Sequence, residues 1–215
     1  MKSSLLEKEL QAAKERLGCA VAALASEHKG GEMEEFLSAR GAVFSLERQL
    51  ADAQGQEYAE TIDFPVKWDI GAPLPHLLAN GSRTLLLFYL KDDDSEGNRT
   101  ESIALVQFHK CVSVKLGDPN DEVFHGHPLY GKGLEPYTAQ IVQNSKWIEE
   151  LEAINKVHSQ YDPALWRSMN HYVFWFHDET FECVARAYEV EIFQKSDPEK
   201  SMDEVILEAV KRLRA

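Results

Sequence analysis

The 215-residue chain is predicted to fold as an α+β protein: an N-terminal antiparallel helical hairpin, a mainly antiparallel sheet with helices, and a closing helix. Three observations predict it. Two heptad seams fill the first quarter of the chain. The apolar period then shortens toward that of strands, and a capped amphipathic stripe ends the sequence.

Leu6, Leu10, Ala13, Leu17, Ala20 and Leu24 form the first seam, and Phe36, Ala39, Val43, Leu46, Leu50 and Ala53 the second. The break between them, His28-Lys29-Gly30-Gly31, supplies glycines for a left-handed C-cap, so the two helices should fold back on each other. Leu85 to Leu90 is apolar on both faces, as a central strand would be. Asp92 to Thr100 reads as a polar turn. A long strand is expected from Ser102 to Leu116, with Val112, Val114 and Leu116 on one face and His109, Cys111, Ser113 and Lys115 on the other. Residues 117–136 have no regular period, and their aromatics argue for an ordered, functional loop.

Tyr137 to Gln143 is a further candidate strand. Asn144 or Ser145 should cap a helix with Trp147, Leu151, Ile154 and His158 on one stripe, and Asp162-Pro163 should open a short helix. His171 to His177 and Thr180 to Phe193 read as a hairpin. The apolar phase of its second strand slips from odd to even positions, which predicts a bulge near Ala187. Asp197-Pro198 and the Ser201-x-x-Glu204 capping box then start the last helix, with Met202, Val205, Ile206, Ala209, Val210 and Leu213 on its apolar stripe. The expected organisation is a hairpin arm over 1–57, an α+β core domain over 61–195 and a C-terminal helix over 196–215 packed on that core.

Three segments carry a resemblance. The first is Gly126-His127-Pro128-Leu129 with Gly133-Leu134-Glu135-Pro136-Tyr137. The second is Asn144-Ser145-Lys146-Trp147-Ile148 with Asn155 and His158. The third is His171-Tyr172-Val173-Phe174 running into Phe176-His177-Asp178-Glu179-Thr180-Phe181-Glu182-Cys183. Together they resemble a family of uncharacterised bacterial proteins over roughly the last two-thirds of the chain. The resemblance implies a bacterial, cytoplasmic origin and no particular chemistry.

Charge narrows the partners. The net charge of -13 is spread along the chain, with -4, -4 and -5 over residues 1–60, 61–140 and 141–215. Such a surface repels phosphate backbones, so no nucleic-acid partner is expected. Lys211, Arg212 and Arg214, the only dense basic cluster, fit a helix C-terminus. A basic protein partner suits the field better, and the hairpin offers a route to a homodimer. The longest strongly apolar run has six residues, so no membrane span is expected, and Glu7 and Glu9 stand where a signal peptide needs an apolar core. Three widely spaced cysteines suggest reduced thiols in a cytoplasmic protein.

No phosphate loop, dinucleotide fingerprint, nucleophile elbow or zinc signature is present. Asp92, Asp94, Glu96 and Gly97 start like a calcium loop, but Ile103 stands where a glutamate is needed. His177-Asp178-Glu179 fits a strand turn better than an acid–base pair. A divalent metal is the one cofactor candidate, with His125, His127, His171, His177 and Cys183 as donors and Glu182 as an alternative. Trp147, Tyr130 and Trp166 are the candidate interface anchors. Two functions follow. The first is a non-enzymatic, acidic protein-binding protein of adaptor or immunity type. The second is a metal-dependent hydrolase centred on 117–136.

Overall fold

The computed structural model describes residues 2–26, 30–91, 102–194 and 201–214. The expected turn at 92–100, including the calcium-loop-like residues, lies outside them, as do His28-Lys29 and Asp197-Pro198. Helices α1 (Lys2–Ala25) and α2 (Glu32–Ala53) form the predicted hairpin, with Gly30 and Gly31 at φ 86° and 99°. Leu6, Leu10, Ala20, Ala39 and Val43 of the two seams are buried, whereas Ala53 is exposed and its neighbour Ala51 is buried instead. Arg16 reaches across to grip both oxygens of Glu35 at 2.7 and 3.0 Å.

Among the described residues nine strands follow: β1 (Tyr58–Thr61), β2 (His76–Ala79), β3 (Thr84–Tyr89), β4 (Ile103–His109), β5 (Ser113–Gly117), β6 (Ala139–Gln143), β7 (Asn170–Trp175), β8 (Thr180–Ala185) and β9 (Ala187–Phe193). Between them lie α3 (Lys146–Asn155) and α4 (Pro163–Arg167), and α5 (Met202–Arg214) closes the chain. The strands make two antiparallel sheets. The order is β1-β6-β7-β8-β5 in the larger and β2-β3-β4-β9 in the smaller.

The sheets share one core. Leu86, Phe88, Val106 and Phe108 from the smaller sheet pack against Tyr172, Phe174, Phe181 and Cys183 from the larger. The outer face of the smaller sheet, Leu85, Leu87, Ile103 and Leu105, is covered by Met202, Val205 and Ala209 of α5. This double burial is why β3 reads as apolar on both faces. Helix α5 starts in the predicted capping box, where the Ser201 N–H donates to Glu204 at 2.7 Å. Its end is held by the Asn80 amide, which donates to the Leu213 carbonyl at 2.7 Å.

Two strand predictions are corrected together. The strand expected over Ser102–Leu116 is two strands in different sheets, β4 and β5, joined through Lys110 at φ 54°. The phase slip near Ala187 is the same event on the partner strand: β8 ends in the larger sheet and β9 begins in the smaller. The Arg186 N–H donates to His109 at 2.9 Å, and the Val112 N–H to Val184 at 2.8 Å, so the hairpin changes sheets as a unit. A change of sheet reverses which face is buried, and in sequence that looks like a bulge.

The outer face of the larger sheet has two coverings. Residues 117–136 lie over Val142, Val173 and Trp175 through Leu129, Leu134 and Phe124. Helices α3 and α4, with Met169 just after α4, cover Val184 through Trp166, Met169, Trp147, Ile148 and Leu151. His158 lies beyond the end of α3, and Ile154 on that helix is exposed. The loop is ordered, as its aromatics predict, and contains a 3-10 turn at Asp121–Gly126. Gln140, fully buried beneath it, donates to the Gly133 carbonyl and accepts from the Glu135 N–H, both at 2.9 Å.

Candidate functional site

Between the two coverings the outer face of the larger sheet stays open as a cavity of about 590 Å³. Its wall on one side is Pro119, Val123, His127, Pro128 and Leu129, and on the other Lys146, Trp147 and Glu150 of α3. The floor is strand: His171 from β7, Glu182 from β8 and Lys115 from β5. Strand alternation places them there. Tyr172 and Cys183 point into the shared core, so their neighbours His171 and Glu182 point outward, and Lys115 lies directly across from Glu182.

A chain of hydrogen bonds crosses the floor. Ser145 Oγ lies 2.9 Å from His171 Nδ1, and His171 Nε2 lies 2.9 Å from Glu182 Oε2. Ser145 is also the N-cap of α3, its Oγ accepting the Ile148 N–H at 3.2 Å. Lys115 Nζ stands 3.8 Å from Glu182 Oε1 and 3.8 Å above the Trp147 ring centroid. Burial by itself would push the Glu182 carboxyl up. The hydrogen bond and charge of His171, with Lys115 behind them, outweigh it and hold the group below its ordinary value. Glu182 is therefore an anion that only accepts, so Nε2 carries the proton between them.

His127 faces this floor from the loop. Its Nδ1 accepts the Leu129 N–H at 3.2 Å, and its ring packs edge-on against buried Trp175. Burial lowers its pKa, opposed by the nearby charge of Glu182, so the ring is neutral at pH 7 and holds its proton on Nε2. Glu57 completes the rim and accepts the Lys146 N–H at 3.1 Å. The cavity thus holds three carboxyl side chains (Glu57, Glu150 and Glu182), two ammonium groups (Lys115 and Lys146), an N–H donor and an aromatic wall.

The five nominated metal donors do not converge. His127 and His171 share the cavity. His125 lies in a separate groove of about 520 Å³ against the hairpin, its ring 4.8 Å from that of Tyr130. His177 caps the β7–β8 turn, paired with Asp178 at 2.8 Å, which raises its pKa. Cys183 is on the core side of β8, opposite Glu182. Among the described residues no three His, Cys, Asp or Glu side chains form a group that can hold a metal ion. Of the nominated anchors, Trp147 lines the cavity and Tyr130 is exposed in the hairpin groove, whereas Trp166, on α4, is buried against Val184.

Sequence reasoning missed Lys115, Glu57 and Glu150. It placed Lys115 on a strand face shared with His109 and Cys111, which the change of sheet separates from it. The usable signal was Glu182, a lone charge at an outward position between Thr180 and Val184, both buried. The chain matches no protein-family model, no curated protein and no solved structure. No helix among the described residues is long and apolar enough to cross a membrane.

Proposed function

We propose that the chain is a small-molecule-binding protein whose ligand occupies the cavity between residues 117–136 and α3. One observation carries this reading: a mostly buried, ionised Glu182, held by His171, whose other ring nitrogen meets Ser145, at the floor of a cavity large enough for a metabolite. Its lowered pKa favours binding over base catalysis, because a carboxylate that weak takes protons poorly at neutral pH. The ligand is a compact polar molecule. It offers a donor or a positive group to Glu182 and an acceptor to His127 Nε2 and Lys115, with an apolar part against Leu129, Pro128 and Trp147.

The test is thermal denaturation against a panel of amino acids, small carboxylates, amines and nucleosides. At least one class should raise the Tm of the wild-type chain and fail to raise that of Glu182→Gln. If no class stabilises the wild type, or the variant responds equally, the cavity is not the site.

A second reading, docking of a protein, rests on the hairpin. Met33 and Leu37 lie one turn apart on α2 and are 58% and 54% exposed, with Leu5 and Val21 exposed on α1. With the acidic surface, these support association with a basic partner or a second copy of the chain. Light scattering across concentration tests the copy. A wild-type mass that rises with concentration, and does not rise in Met33→Glu/Leu37→Glu, supports it. A constant monomer mass contradicts it.

A further inference from the structure

The groove between the hairpin and residues 117–136 carries chemistry of its own. Phe36, Arg40 and Phe44 stand four residues apart on α2, one above the other along a single stripe. All three line the groove, and Phe124 and Tyr130 line it from the loop. The Arg40 guanidinium lies 5.3 Å from the Phe44 ring centroid. Phe124 and Tyr130 meet edge to face with centroids 5.5 Å apart, and Phe124 is backed at 5.0 Å by buried Trp175. The groove is thus a slot with aromatic walls on a rigid support, and Tyr130 in it is 46% exposed.

The slot is cationic in an acidic chain. Of the three arginines in the hairpin, Arg16 grips Glu35 and Arg48 holds Glu135 at 3.2 Å. Arg40 has no carboxylate partner among the described residues, although acidic side chains outnumber basic ones by 36 to 23. Glu47, the carboxylate of the lining, is buried and already held by Lys14 of α1 at 3.2 Å. That pair cancels, so the Arg40 guanidinium is the surplus charge of the slot. Its planar fork of N–H donors matches the two oxygens of a carboxylate.

We propose that this groove is a second small-molecule site, which takes an aromatic carboxylate. The ring of the ligand packs among Phe36, Phe44 and Tyr130, since aromatic walls favour edge and offset contacts with another ring. Its carboxylate accepts from the N–H groups of Arg40. An aromatic amine is disfavoured there, because it meets like charge at Arg40 and a carboxylate that Lys14 already occupies. The volume of about 520 Å³ is within the ordinary range of ligand pockets. The groove shares no lining residue with the cavity at Glu182, so the two sites stand or fall separately.

Cinnamate and indoleacetate are titrated into the full-length chain by calorimetry, with cinnamamide, indoleacetamide and hexanoate as controls. At least one aromatic carboxylate should bind with a Kd below about 1 mM, and its amide and hexanoate should each bind about tenfold more weakly. Arg40→Gln should weaken the aromatic carboxylate about tenfold or more, and Arg40→Lys should bind it better than Arg40→Gln does. Glu182→Gln should bind it as the wild type does, which separates this site from the cavity. In the wild-type chain, nuclear Overhauser contacts should run from the bound ring to Phe44 and Tyr130, a readout that needs no variant. The proposal is overturned if neither aromatic carboxylate binds, or if the amide or hexanoate binds as tightly. It is equally overturned if Arg40→Gln changes nothing, or if the contacts arise from residues outside the groove.

Discussion

Glu182 is the residue on which the site turns. Removing its partner by His171→Ala leaves a carboxylate under cover with Lys115 at 3.8 Å as its remaining cation. Breaking a buried pair costs about 3–5 kcal/mol, and the open cavity beside it lowers the expected loss to about 2–3 kcal/mol in urea denaturation. Glu182→Gln keeps an acceptor for Nε2 and should cost less. The same pair sets the acid limb of stability. Folding lowers the Glu182 pKa below its ordinary 4.5, so the folded chain binds fewer protons there and stability rises with pH. The contribution is complete above the unfolded-state value and is lost as pH falls through the lower folded value. His127 acts in the same sense higher up, since burial lowers it from 6.5 and protonation therefore favours the unfolded chain. Stability measured from pH 7 to 3 should fall less steeply in Glu182→Gln at the acid end. His127→Gln should flatten it just below 6.5.

At the scale of elements, the irregular segment 117–136 is held by a few contacts. Gly133 sits at φ 82°, and a Cβ there would lie 2.4 Å from Arg48 Cγ and 2.6 Å from the Ala59 carbonyl oxygen. Gly133→Ala therefore combines left-handed strain with a backbone clash and should cost more than about 1 kcal/mol. Gln140→Leu removes both amide hydrogen bonds and leaves buried backbone groups unpaired, about 1–3 kcal/mol each. Its signature should be faster amide exchange confined to residues 117–136; uniform exchange loss across both sheets would contradict a local clamp. The helices were legible because their signals are local: the seams up to the last turn of α2, where Ala51 replaces Ala53, the Gly30-Gly31 break, the cap at Ser145 of the two candidates, and the Ser201–Glu204 box stand where the sequence places them. Strands β1 and β2 were not, since four residues carry too little period. The change of sheet at Lys110 and Arg186 was not legible either. It leaves each strand's own alternation intact and alters only which partner it meets. The site was half legible for the same reason. His127, His171 and Glu182 could be nominated by residue type, but their separation from His125, His177 and Cys183 depends on which face each strand turns outward.

At the scale of the whole molecule, the described residues stack as four layers: α5, the smaller sheet, the larger sheet and its coverings. Helix α5 seals the smaller sheet, the shared core joins the two sheets, and the larger sheet is covered from both ends with the cavity between. The coverings bury apolar clusters of their own on that sheet and leave the cavity between them; in the proposed function they are the walls of the binding site. The most direct test follows the histidine rings by NMR in isotopically labelled protein, while the best stabiliser from the Tm panel is added. The account predicts that the ring signals of His127 and His171 move together with ligand, while those of exposed His76 and His158 stay fixed. A stabilising ligand that leaves both cavity rings unmoved, or a panel in which no compound moves them, would contradict it.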